Sequence, residues 1–137
     1  MMKKKAISLI AATALVLGIA LSVALAQNHY NSDSFTVLTR GFTVRCWISE
    51  DLLSAGAWTT GGTNTYDKVW ATYYWMNLNT QELGTISGYK YSDISASITA
   101  PPLDNPNKVF WQVVSDHRGE YGGLYGIRNG LTITIGN

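Results

Sequence analysis

The chain has 137 residues, with 13 glycines, 3 prolines, one cysteine and a formal net charge of +1. That length supports one domain with a substantial core rather than two, and a lone cysteine excludes a disulfide scaffold. Ten basic side chains against nine acidic ones leave no electrostatic footprint for nucleic acid.

Met1-Met2-Lys3-Lys4-Lys5 is a basic start, followed by an uncharged apolar run from Ala6 to Val23 and then Ala24-Leu25-Ala26. This order predicts a signal peptide over 1–26, cleaved after Ala26, with Gln27 as the mature start. The alternative is a retained membrane anchor, because the apolar run is just long enough to cross a bilayer as a helix. Both place the rest of the protein in a secreted or cell-surface location. Without Lys3, Lys4 and Lys5 the body carries seven basic and nine acidic side chains. It lacks a basic amphipathic stretch, so no membrane association is expected after cleavage.

The polar residues 27–34 are expected to form a flexible mature N-terminus, and 35–137 a single domain. Phe35 to Thr39 is a weak strand. Phe42-Thr43-Val44-Arg45-Cys46-Trp47-Ile48 alternates, placing Phe42, Val44, Cys46 and Ile48 on one face. Glu50 to Ala55 hints at one or two helical turns. Gly61-Gly62 and Asn77-Leu78-Asn79-Thr80 bracket a long run from Asp67 to Leu78. Ser92 to Ala100 aligns Ile94, Ala96, Ile98 and Ala100 on one side. The proline-rich stretch Pro101 to Asn107 cannot sustain a ladder and is expected to cross between sheets. Val109 to Val114 reads as a deeper strand, closed by a solvated turn at Ser115-Asp116-His117-Arg118-Gly119-Glu120. Leu124 to Arg128 is a weak strand and Leu131 to Ile135 a clear one, with Asn129-Gly130 between them as a hairpin turn. Some six to eight short strands make an all-β fold, a small antiparallel β-sandwich, with a small β-barrel as the alternative.

Five tryptophans, eight tyrosines and three phenylalanines all follow residue 26. They crowd Asp67 to Leu78, where one face carries Trp70, Tyr74 and Met76 and the other Val69, Ala71, Tyr73 and Trp75. Only one face of a sandwich strand meets the core. The more continuously apolar Trp70/Tyr74/Met76 face is expected inside, leaving Tyr73 and Trp75 about 7 Å apart on the surface. Together with Tyr89 and Tyr91 they form a candidate ligand-binding patch, since exposed rings stack on sugars or anchor proteins. The plainer alternative is that loops cover these rings, or that they only stabilise cross-strand pairs.

Other chemistry is thin. Cys46 alternates with core positions and is expected to be a buried thiol rather than a nucleophile. Adjacent residues on an extended chain face opposite ways, so Ser115, Asp116 and His117 cannot form a triad by adjacency. His29 and His117 have no ligand spacing for zinc, and the glycines from Gly119 to Gly126 lack the lysine and helix of a phosphate loop. Asp67, Glu82, Asp93 and Glu120 are carboxylates that only the fold could bring together. No cofactor and no metal are expected.

The expectation is an exported, non-enzymatic binding module whose partner is a cell-wall glycan or an extracellular protein. A secreted bacteriocin-like or partner-binding protein is the alternative, and a small wall-polymer hydrolase using His117 the third. The plan of a signal peptide followed by a short Tyr/Ser/Gly-rich strand domain is similar to that of small exported β-sandwich bacteriocins.

Overall fold

The computed structural model describes residues 28–136, and the signal peptide expected over 1–26 lies outside the described residues. Eight strands and their connections account for the described chain: β1 (His29–Val37), β2 (Arg40–Ile48), β3 (Ala55–Thr60), β4 (Tyr66–Asn77), β5 (Leu83–Asp93), β6 (Ser95–Thr99), β7 (Lys108–Tyr121) and β8 (Leu124–Thr134). They form two four-stranded antiparallel sheets, β1-β2-β3-β6 and β5-β4-β7-β8. The protein is an antiparallel β-sandwich, with no helix among the described residues. The Pro101–Asn107 stretch carries the chain from one sheet to the other, as the prolines require.

The period-two pattern places the core correctly on β2, where Phe42, Val44, Cys46 and Ile48 are wholly buried. Leu131 and Ile135 are buried beside them, and Ile133 packs against the same core. Facing sheets lie about 10 Å apart, so large rings leave room only for small neighbours. Here Tyr73 and Phe110 share the core with the small side chains of Ala55, Ala57, Ala71 and Ala96. Arg128 on β8 is salt-bridged to Asp33 on β1, and Asn31 Nδ2 donates to the Thr132 carbonyl at 3.0 Å. These contacts close one side of the sandwich.

Four expectations about local structure are corrected. Residues 29–34 are not loose: β1 begins at His29 and pairs residue for residue with β2, from His29 opposite Ile48 to Val37 opposite Arg40. A polar strand can pair through its backbone alone when it lies at a sheet edge. Glu50 to Ser54 form a turn leading into β3 at Ala55, not a helix: Ser49 Oγ and Asp51 Oδ1 accept the backbone amides of Ser54 and Leu53. Asn129-Gly130 lies within β8, while the β7–β8 hairpin turns at Gly122-Gly123. Gly130, at φ +69°, serves a bulge where the ladder shifts between Ser115 and His117. Finally, Ser115 to Glu120 is not a solvated turn but part of the 14-residue β7. Alternation sends Ser115 and His117 inward and Asp116, Arg118 and Glu120 outward.

Candidate functional site

The largest correction concerns β4. Val69, Ala71 and Tyr73 face the core, and Trp70, Thr72 and Tyr74 form the outer face. Tyr73 is 1% exposed and meets Phe110 edge-on, with ring centroids 6.0 Å apart. Trp75 is half-buried against the core, lies over Gly84 and is capped by Lys108 Nζ at 3.9 Å from its ring. Neither ring offers the open surface expected of it. The Trp70/Tyr74/Met76 face is more apolar by composition, but apolarity alone does not choose the side. Trp70 and Tyr74 are sheltered sideways instead, by Tyr91 at 5.8 Å and Trp111 at 5.9 Å, both in edge-on contact. Met76 is buried at the strand's end, beyond a register shift that places Tyr74 opposite Gln112 and Trp75 opposite Phe110.

Tyr89 and Tyr91 do lie in the open, at 64% and 43% exposure. The β4–β5 register sets Tyr89 opposite Trp70, Tyr91 opposite Lys68, and Asp93 opposite Tyr66. The result is a cluster of four rings. Tyr91 stands 5.2 Å from Tyr89, 5.8 Å from Trp70 and 6.4 Å from Tyr66, measured between centroids. Lys68 Nζ lies 4.9 Å from the Tyr91 centroid and 5.5 Å from that of Tyr66. A cation over ring faces orders them at little cost, because its ammonium stays partly in water.

The cluster runs on across the sheet as a row of charges. Lys68 Nζ is 3.4 Å from Glu120 Oε2, and Arg118 Nε is 3.3 Å from the same oxygen. The Arg118 guanidinium carbon then lies 3.9 Å from the ring centroid of Tyr125, itself 59% exposed. At this end of the sheet the strand connections border an open cleft of about 630 Å³, whose walls include Tyr66, Asp93, Arg118, Glu120 and Tyr125. The aromatic cluster and the cleft therefore share Tyr66 and are continuous. Toward the other end, the outer face carries Thr72 beside Ser87, with hydroxyl oxygens 3.2 Å apart, then Thr132 and Thr134.

Tyr66, Lys68, Trp70, Arg118, Glu120 and Tyr125 were not in the sequence-derived patch. The signal for three of them was present: Tyr66, Lys68 and Trp70 alternate along one strand, and a tight turn at 77–80 brings Tyr89 and Tyr91 across from them. The contribution of β7 and β8 depended on pairing β7 with β4, which local pattern does not reveal.

The remaining candidates sit elsewhere. His117 is fully buried on the inner face, with Thr59 Oγ1 2.8 Å from Nδ1 and Ser115 Oγ 2.7 Å from Nε2. Thr59 spends its hydroxyl proton on the Lys68 carbonyl at 2.8 Å, so it accepts from Nδ1–H and Ser115 donates to Nε2. The imidazole is thus a neutral bridge, and burial lowers its pKa to about 4. Hydroxyls occupy both ring nitrogens, and the side chain has no exposed surface. Cys46 is buried as expected, its Sγ 3.7 Å from the Leu131 carbonyl, and burial pushes the thiol up to about 11. Of the four carboxylates, Asp67 is interior, where Oδ2 accepts the Gly61 amide at 3.0 Å. Glu82 lies by the distant β4–β5 turn, and only Asp93 and Glu120 share the cleft. Among the described residues no group of three or more His, Cys, Asp or Glu side chains could hold a metal ion.

The chain matches none of the protein-family models and none of the curated proteins with which it was compared.

Proposed function

We propose that the protein is a binding module for a cell-wall or extracellular glycan, acting through the outer face of the β5-β4-β7-β8 sheet after export. One observation carries this reading. The exposed rings of Tyr89 and Tyr91 join Tyr66 and Trp70 in a single cluster that leads into a polar cleft of about 630 Å³.

Sugars present apolar C–H faces edged by hydroxyls, so a site for them needs ring surfaces beside fixed donors and acceptors. Tyr89 and Tyr91 supply the first. Lys68, Arg118 and Glu120, held by one another in ion pairs, supply the second without losing much freedom on binding. A protein partner would favour a contiguous apolar centre with a polar rim. Here charge runs through the middle of the patch and hydroxyl rows extend from it, which suits a polyhydroxylated ligand better.

Retention on insoluble wall polysaccharide tests the reading. The folded Tyr89→Ala/Tyr91→Ala double variant should lose retention about tenfold or more, as expected for two stacking rings removed. Equal retention of the double variant and the parent would sink the proposal.

A further inference from the structure

The opposite outer face, that of the β1-β2-β3-β6 sheet, holds a second and smaller groove of about 270 Å³ between Tyr30, Arg45, Trp47 and Trp58. Arg45 is at its centre. Its guanidinium carbon lies 4.4 Å from the Tyr30 ring centroid and 5.4 Å from that of Trp58. Trp47, opposite Tyr30 in the ladder, is laid over Gly56 so closely that a β-carbon there would stand 2.6 Å from its ring. Three rings thus wall a positive charge on a flat sheet.

The use made of that charge separates Arg45 from the other arginines. Arg40 donates from Nη1 to the carbonyls of Gly61 and Thr63; Arg118 pairs with Glu120 and Arg128 with Asp33. Arg45 donates only Nε, to Ser32 Oγ at 2.9 Å. Among the described residues its two terminal nitrogens have no acceptor, and no carboxylate lies within salt-bridge distance. The Tyr30 and Trp58 rings beside the guanidinium, together with the Ser32 bond at Nε, restrict its movement. What remains is a preorganised two-pronged donor, whose geometry matches a carboxylate or a phosphate.

We infer that this groove is a second binding site, for a single sugar unit bearing a carboxylate or phosphate group. The unpaired fork of Arg45 calls for an anion. The indole walls of Trp47 and Trp58 call for the C–H face of a ring beside it, and the volume admits about one such unit rather than a folded partner. The site does not rest on the Tyr89/Tyr91 reading, because it lies on the other side of the sandwich and shares no residue with it. If both are occupied, the molecule bridges two strands of polymer.

Calorimetric titration of the purified protein with oligogalacturonate, its methyl ester and glucose 6-phosphate tests the site. Binding of either acid supports it, and the tighter of the two names the anion; the uncharged ester should bind about tenfold more weakly than the acid or worse. Arg45→Gln, an outward-facing change whose fold can be checked by circular dichroism, should lower acid affinity by a similar factor. Arg45→Lys should recover only part of it, because a point charge cannot grip two oxygens. Lys90→Gln, which removes a cation at an exposed position lining neither groove, should leave acid binding unchanged. No binding of either acid at millimolar concentration overturns the inference. So does equal affinity for ester and acid, or an Arg45→Gln variant that binds as the parent does. Loss of acid binding in Tyr89→Ala but not in Arg45→Gln would assign the acid to the other face and also overturn it.

Discussion

Phe42 occupies the space that a side chain at Gly119 would need: a β-carbon there would stand 2.2 Å from Cε2 of the ring. The same ring excludes one at Gly61, at 2.3 Å. Phe35 stacks on Phe42 with centroids 5.1 Å apart and planes 10° from parallel, and Gly126 in turn makes room for Phe35. Two phenylalanines therefore fill this end of the sandwich only because glycines face them from the opposite sheet and the adjoining loop.

Gly119→Ala should accordingly destabilise the fold by about 1–3 kcal/mol, since Phe42 is wholly buried and cannot swing clear. Gly41→Ala is the matched control: nothing lies within 4 Å of the added carbon, and the change should stay within about 0.5 kcal/mol. Urea midpoints of the two variants decide the matter. Equal midpoints would mean that the ring relaxes freely.

How far the sequence foretold this arrangement depended on which strand was read. β2 and the end of β8 announced their inner faces because apolar and polar residues alternate without conflict, and there pattern and burial agree. β4 has large rings on both sides, so alternation stated the two faces without saying which turns inward. The strand pairing sets Gly84 opposite Trp75 and Gly88 opposite Ala71, and no local rule reveals that pairing. Asn129-Gly130 failed for another reason: a positive φ serves a bulge as well as a turn, and the two look alike in sequence. Within the patch, Tyr89 and Tyr91 were legible, whereas Arg118, Glu120 and Tyr125 entered only through the pairing of β7 with its neighbours.

His117 makes stability depend on pH in a definite direction. Its folded pKa, about 4, lies below the ordinary value of 6.5, so between these limits the unfolded chain binds a proton that the folded chain refuses. The contribution is fully present above pH 6.5 and is lost as pH falls toward 4, by up to about 3 kcal/mol. Asp67 acts with the opposite sign: burial raises its carboxyl above 3.8, so it favours the folded state in acid and costs stability as pH rises. In urea titrations at pH 7 and pH 4, His117→Gln should show a lower midpoint at pH 7 and a smaller drop on acidification than the parent. Parallel drops in the two proteins would exclude His117 as the source.

Cys46 should be chemically silent in the folded protein. Its thiol is wholly enclosed between the sheets and, with its pKa near 11, carries almost no thiolate at neutral pH. A disulfide reagent should label it only as fast as the domain opens, and at once in guanidinium chloride. Rapid labelling under native conditions would show that the sheets part locally around β2.

Tyr73 supplies the sharpest contrast with the surface tyrosines. Its ring is 1% exposed and packs on Phe110, while its hydroxyl is 3.5 Å from the Ile98 carbonyl, at the outer limit of a hydrogen bond. Removing the hydroxyl alone should therefore matter little, and Tyr73→Phe is expected to lie within about 1 kcal/mol of the parent. Removing the ring empties the middle of the core, so Tyr73→Ala should cost about 3–5 kcal/mol. Glycan retention by folded Tyr73→Phe should equal that of the parent, unlike retention by the Tyr89→Ala/Tyr91→Ala variant. A Tyr73→Phe protein that keeps its stability but loses retention would place the binding surface inside what is here the core, and the proposed outer-face site could not stand.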